Sequence, residues 1–274
     1  GAGTVSVQGT GGGGGGGNFG VALFSGTNSV TSAGAGISIQ GTAGSAFGIG
    51  VYLLSGTITA PGTLNLTGTG TGQQGIQLQG GTTTVTGLAT LTGLSGSTVQ
   101  VDAGATANFG SLTVTTAGSA TVFEDDATVL AGGNVGGTFA LASAGGISET
   151  AAVTAGTMSA SNGGTGNIDL STFANPIGSF SATNTAGGGA VSVQFSGAAA
   201  ITGITSTNGA VTATSAAGSN LTLTGNITTG GGAVNIPTNG GGSLAIGNTL
   251  TVSTAGGAIQ FPRPVVADTD LTRT

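Results

Sequence analysis

The sequence contains no cysteine, histidine, lysine or tryptophan among its 274 residues. Without histidine, no Ser-His-Asp or Cys-His catalytic arrangement can form, and without lysine neither can a Schiff base or a Ser-Lys pair. The missing cysteine excludes disulfide bonds and thiolate metal sites. We therefore predict that the chain is not an enzyme, with no catalytic, cofactor-binding or metal-binding residues and no cofactor.

Charge is almost as scarce, because only 4% of the residues are charged and the net charge is −6. The basic residues are Arg263 and Arg273. Phosphate backbones and anionic bilayers are bound through Lys and Arg, so we expect no nucleic acid and no membrane surface as partner. No apolar run reaches the about 18 residues of a membrane-spanning helix, so we expect no membrane insertion.

Glycine is abundant, with 60 residues, and this composition is shared by disordered chains. Disordered chains, however, are rich in charge and poor in β-branched residues. This chain is the reverse, with a mean hydropathy of +0.39 and Val, Ile, Leu and Thr throughout. We therefore expect a folded protein.

Internal repeats dominate the first 87 residues. Three segments of one pattern, VSVQGT, ISIQGT and LNLTGT, begin at Val5, Ile37 and Leu64. Each precedes a Gly-x-x-Leu-x-x-Gly-Thr motif. The leucines of the three motifs are Leu23, Leu53 and Leu78. Because they hold one place in successive units, we predict that they stack as a buried ladder.

Later repeats are looser. An Ala-Val or Ala-Ile step recurs at spacings of 20, 23 and 25 residues, which is one coil of a solenoid. Its alanines are Ala190, Ala210, Ala233 and Ala258. Short period-two apolar segments between Gly and Asn-Gly corners indicate strands with one buried face. No 3.6-residue apolar stripe is present, so we expect essentially no helix.

Together these patterns predict an all-β fold, a right-handed parallel β-helix (β-solenoid) of about 20–30 residues per coil. We expect one continuous solenoid over residues 1–274, with clear repeats of 25–32 residues in 1–87 and looser coils of about 20–25 residues in 88–261. Residues 262–274 are expected to lead into further repeats or a linker, and the chain is expected to be a fragment of a longer protein. At about 23 residues per coil it would form about 12 coils.

The segments VSVQGTGG, GVYLLSGTITAPGTLNLTGTG, LTLTGNITTGGGAVNI and PVVADTDLTRT resemble the repeat regions of filamentous-haemagglutinin-like proteins and giant bacterial surface adhesins. The resemblance implies a β-helical shaft in an exported bacterial protein, at the cell surface or outside the cell. Its function would be to extend a distal domain away from the cell.

Several alternatives remain open. One is a self-assembling extracellular filament subunit, and others are an ice-binding or a carbohydrate-binding β-solenoid. The expected partners are neighbouring repeats or copies of the chain end to end, and a host or neighbouring-cell surface reached through other parts of the protein. Thr-x-Thr triplets at 113–115, 212–214 and 222–224 suit ice binding, but their irregular spacing favours ordinary outward strand positions.

A few polar motifs could carry chemistry. The triplet Glu124-Asp125-Asp126 could bind calcium in a loop, but a solvated turn that protects a strand edge is the favoured interpretation. The run from Gly163 to Asp169 resembles a calcium-binding nonapeptide and is interpreted as a turn. The sequons at Asn65, Asn220 and Asn226 match the chance expectation for so threonine-rich a chain.

Overall fold

A computed structural model describes the chain at residues 3–14, 17–44, 47–70, 74–237, 240–247, 249–262 and 264–267. Over these residues the protein is an all-β, parallel β-solenoid of about 10 turns, with 60% strand and no helix. The predicted fold class is confirmed. The expected number of coils was too high, because some coils are longer than 23 residues. Val5 pairs with Ile37, and Ile37 pairs with Leu64.

The chain divides into two compact units, residues 1–141 and 142–274. The strands of the first unit are β1 (Val5–Thr10), β2 (Val21–Leu23), β3 (Ser29–Thr31), β4 (Ile37–Thr42), β5 (Val51–Leu53), β6 (Thr57–Ala60), β7 (Leu64–Thr69), β8 (Gln74–Leu78), β9 (Thr82–Leu94), β10 (Thr98–Val101), β11 (Thr106–Thr116), β12 (Ala120–Glu124) and β13 (Thr128–Ser143), whose last two residues belong to the second unit.

Three parallel stacks of strands build the first unit. The first face contains β1, β4, β7 and the later parts of β9 and β11. The second face contains β2, β5, β8, β10 and β12. The third face contains β3, β6 and the early parts of β9 and β11. Each coil therefore contributes one short stretch to each face, and neighbouring coils pair in parallel.

The predicted leucine ladder is present on the second face. Leu23 pairs with Leu53, and Leu53 pairs with Leu78. All three side chains are buried. Complete burial of a leucine contributes about 1.5–3 kcal/mol, so such ladders supply the core that a chain poor in aromatic residues lacks.

Glycine pairs close the corner between the first and second faces. A Cβ atom on Gly41 would lie 1.8 Å from the Gly50 carbonyl oxygen, and one on Gly68 would lie 1.8 Å from the Gly75 oxygen. No side chain fits at either place. The repeated glycines of the VSVQGT-type segments and of the Gly-x-x-Leu motifs thus face each other, and their contact makes the sharp corner possible.

The strands of the second unit are β14 (Ile147–Asn162), β15 (Ile168–Asn175), β16 (Ile177–Asn184), β17 (Val191–Phe195), β18 (Ala199–Ser206), β19 (Val211–Ser215), β20 (Leu221–Leu223), β21 (Ile227–Thr229), β22 (Val234–Asn235), β23 (Leu244–Ile246), β24 (Val252–Ser253), β25 (Ile259–Gln260) and β26 (Val265–Ala267). They also pair in parallel, one coil apart, as β15–β17–β19–β22–β25, β18–β20–β23–β26 and β18–β21–β24.

The Ala-Val and Ala-Ile steps mark successive coils of this unit, as their spacing predicted. Val191 pairs with Val211, Val211 with Val234, and Val234 with Ile259. Within residues 262–274, β26 begins at Val265 and pairs with β23. Arg263 and residues 268–274 lie outside the described residues.

Candidate functional site

The acidic triplet is not the solvated turn that the sequence suggested. Asp125 and Asp126 are exposed, but Glu124 is only 4% exposed. Its side chain turns inward because Oε1 accepts the Phe109 backbone N–H at 2.9 Å. The expectation was wrong for this residue, since a local hydrogen bond to the neighbouring coil outweighed the preference of a carboxylate for water.

Glu124 is electrostatically unusual. Its Oε2 atom is buried and lies near the hydroxyl of Thr128, which is buried as well. Burial raises the pKa of the Glu124 carboxyl to about 7, and the negative charge of Asp126 adds to the rise. The Thr128 hydroxyl and the Phe109 N–H oppose the rise by stabilising the charged form. Near neutral pH this carboxyl is therefore present in both protonation states.

A second buried carboxylate, Glu149, lies in the second unit, and no sequence signal singled it out. Its Oε1 accepts the Phe173 backbone N–H at 2.8 Å and Nδ2 of Asn175 at 3.3 Å. Its Oε2 lacks a hydrogen-bond partner among the described residues. Burial raises the pKa of the Glu149 carboxyl, while hydrogen bonds from the Phe173 N–H, Asn175 Nδ2 and the Thr172 N–H lower it.

Asn175 and Glu149 together anchor an outward bulge of β15. The pairing register shifts between Leu170 and Asn175, and residues 171–174 are exposed. Asn175 is fully buried. Its Nδ2 donates to the Leu170 and Phe173 carbonyls, and its Oδ1 accepts the Val153 N–H at 2.7 Å. The network replaces the ladder hydrogen bonds that the bulge removes.

A ladder of buried polar side chains runs along one corner of the second unit. Asn162 pairs with Asn184, Asn184 with Ser206, and Ser206 with Thr229. In several coils the hydroxyl donates to the carbonyl three residues later, as Ser206 does to Gly209 and Thr229 does to Gly232. These side chains satisfy corner carbonyls that no strand can reach.

Aromatic side chains form an outward patch on the first unit. The rings of Phe19 and Tyr52 stack at a centroid distance of 4.9 Å, and Phe24 packs edge-on against both. Tyr52 is buried beneath the other two, and its hydroxyl donates to Oε1 of Gln79. Phe24 is 51% exposed. Phe19 and Phe24 flank β2, and their rings cover the ring of Tyr52.

The remaining sequence motifs have structural roles. The run from Gly163 to Asp169 includes the turn between β14 and β15, as expected, and Nδ2 of Asn162 donates to the Thr165 and Gly166 carbonyls there. The sequon residues Asn220 and Asn226 accept backbone N–H groups of the following coil through Oδ1.

The described residues contain no group of three or more His, Cys, Asp or Glu side chains placed to hold a metal ion. Glu124, Asp125 and Asp126 therefore do not form such a group. No helix of the described residues is long and apolar enough to cross a bilayer.

Glu149 was missed because a single acidic residue carries no period or motif. Glu149 follows Ile147 by two positions and so falls on an inward strand position, which is the one signal that could have identified it. Comparison with known proteins yields no matching family model, curated protein or solved structure. The arrangement is that of a β-helical repeat protein whose polar interior groups serve the coil geometry.

Proposed function

We propose that this chain is part of the structural repeat shaft of a secreted or cell-surface bacterial adhesin, extending a distal domain away from the cell. The observation that supports it most is the in-register stacking of coils. Ile37 pairs with Val5 on one side and with Leu64 on the other, so each coil makes its contacts with its two neighbours. An array of this kind grows by adding coils without new types of contact.

The chemistry of the chain supports the same proposal. Histidine, lysine and cysteine, which carry most nucleophilic and acid–base catalysis, are missing from the sequence. The two buried glutamates hold backbone N–H groups of neighbouring strands, at Phe109 and at Phe173. Such contacts position the chain, and a shaft needs no more than that.

The proposed location is the outside of a bacterial cell. The resemblance of the repeat segments to those of filamentous-haemagglutinin-like proteins supports it. The proposed partners are adjoining repeats of the same protein. Contact with a host or neighbouring cell would be made by other parts of the protein.

Immunoblotting of the producing cells with an antiserum against this chain tests the proposal. A shaft segment predicts a band far larger than 25.2 kDa that disappears when intact cells are treated with protease. A band near 25.2 kDa with a ladder of multiples would instead indicate a filament subunit. A band that protease cannot reach in intact cells, but can reach after lysis, would contradict both surface functions.

A further inference from the structure

Two outward columns of polar side chains, all hydroxyls except for one asparagine, lie side by side on the third face of the first unit. Pairing of β3, β6, β9 and β11 aligns their outward residues across four coils. One column contains Ser29, Thr57, Thr82 and Thr106. The other contains Thr31, Thr59, Thr84 and Asn108.

These columns could not be recognised from the sequence, because their rows are unequally spaced along the chain. Successive rows are 28, 25 and 24 residues apart, as the pairs Ser29–Thr57, Thr57–Thr82 and Thr82–Thr106 show. The coils differ in length because the loops between the faces differ in length, while the strands keep their register. The Thr-x-Thr triplet at 113–115 lies on β11 after its register shift, and the triplet at 212–214 lies on β19, so neither is part of these columns.

The array is geometrically regular in two directions. Side chains two residues apart on one strand lie about 6.6 Å apart, and equivalent side chains of paired strands lie about 4.8 Å apart. Ile58, Thr83 and Ala107, which separate the columns, point inward and are buried, so the strands are held from beneath. The outward side chains are exposed or half-buried.

The hydroxyls of the array are available to solvent. No side chain of the two columns has a hydrogen-bond partner within the described residues. Other outward threonines differ, since the hydroxyls of Thr113 and Thr202 donate to carbonyls of a neighbouring coil. A free hydroxyl offers one donor and two acceptor positions, and its threonine also presents a methyl group.

We propose that these two columns bind the surface of ice. The two spacings of the array, about 4.8 Å between paired strands and about 6.6 Å along a strand, are close to distances between oxygen atoms on the faces of hexagonal ice. Waters held at the hydroxyls and around the methyl groups can therefore join the ice lattice. Neutrality suits this ligand as well, because ice presents uncharged donors and acceptors in equal number and the columns contain no ionisable side chain. Rigid strands lower the entropic cost of ordering these waters.

Charge bounds the array on one side. The coil after Asn108 brings in Asp125, whose backbone N–H donates to the Ala107 carbonyl. Asp125 and Asp126 are both exposed. Strongly hydrated carboxylates disrupt an ice-like water layer, so the proposed surface comprises these four rows. The proposal is independent of the shaft function, since either property can exist without the other.

Grain growth in polycrystalline ice, followed in the presence of the full chain, tests the proposal. The wild-type chain should slow grain growth relative to an inert protein of similar size. Thr59→Tyr places a bulky ring in the middle of the array and should abolish the effect. Thr67→Tyr is the matched control, because Thr67 is also a half-buried outward threonine of the first unit but lies on β7 between Gln40 and Thr92. It should retain the effect.

A gain-of-function variant distinguishes loss of the binding surface from misfolding, since a misfolded chain cannot gain activity. Asn108→Thr completes the second column and should strengthen the inhibition of grain growth, with far-UV circular dichroism confirming that every variant is folded. A wild-type chain that behaves like the inert protein overturns the proposal. An equal loss of activity in folded Thr59→Tyr and Thr67→Tyr also overturns it. The proposal fails as well if the wild-type chain has no effect on ice but binds crystalline chitin or cellulose and loses that binding in Thr59→Tyr.

Discussion

Asn184 lies directly against Asn162 of the preceding coil, and Nδ2 of Asn162 donates to Oδ1 of Asn184 at 3.2 Å. Both side chains are buried. Asn184 also donates to the Ala190 carbonyl and accepts the Ala186 N–H, so a single side chain satisfies groups from its own corner and from the coil before it. A buried amide in this position is therefore a structural element of the coil, as much as any leucine of the core.

Removal of that amide should be costly. Asn184→Ala leaves several buried donors and acceptors without partners, and we expect a loss of about 2–4 kcal/mol in the free energy of unfolding. Urea unfolding of the full chain measures it. Asn65→Ala is the control, because Asn65 is an exposed outward residue and its loss should change stability by less than about 0.5 kcal/mol. Equal effects would show that the ladder is not a stabilising feature.

The leucine ladder allows a comparison of adjacent residues. Leu53 is 1% exposed and stacks between Leu23 and Leu78, whereas Leu54 is 40% exposed. Leu53→Asp buries an unpaired charge and should cost about 3–5 kcal/mol or unfold the first unit, while Leu54→Asp should leave the melting temperature almost unchanged. If Leu53→Asp melts like the wild type, the register described here is incorrect.

Glycine corners should not tolerate even a methyl group. Gly41→Ala would place its Cβ 1.8 Å from the Gly50 oxygen, within the backbone of the same corner. The strands must separate to relieve that contact, so we expect a drop in melting temperature corresponding to about 2–4 kcal/mol. Gly12→Ala has open space around the new methyl group and should be neutral or slightly stabilising. Similar melting temperatures for the two variants would contradict the close approach of the two strands.

Stability should depend on pH through Glu124. Its pKa is about 7 in the folded chain against 4.5 for the ordinary group, so the folded state binds the extra proton between these values. The extra proton on Glu124 stabilises the folded state fully below pH about 4.5, and this stabilisation falls as the pH rises and is lost above pH about 7. The free energy of unfolding should change by about 3 kcal/mol over this range. Glu149 has a raised pKa as well and acts in the same direction.

Urea midpoints at pH 5 and pH 8 measure this dependence. Glu124→Gln stays neutral and keeps an oxygen for the Phe109 N–H, so the difference between the two midpoints should shrink clearly. Asp125→Asn, at an exposed carboxylate, should leave the difference nearly intact. A wild-type chain that is more stable at pH 8 than at pH 5 would rule out a buried carboxyl that prefers its neutral form.

The sequence was sufficient for the fold because its signals are local and repeated. The alignment of VSVQGT with ISIQGT and LNLTGT is also the strand register, residue by residue. The interior polar groups could not be predicted in the same way. Whether Glu124 faces water or the Phe109 N–H depends on the path of the neighbouring coil, and the columns at Thr57 and Thr59 depend on loops of unequal length.

Deletion of one whole coil tests the central claim, that independent coils stack through equivalent contacts. Removing residues 64–88 should bring Ile37 against Ala89 and Leu53 against Val101, the partners that now lie one coil further on. Removing only residues 64–75 destroys every such match. We predict that the whole-coil deletion keeps a β-sheet circular dichroism spectrum and a melting temperature near that of the wild type, whereas the half-coil deletion melts far lower or does not fold. Equal destabilisation by the two deletions would contradict the account.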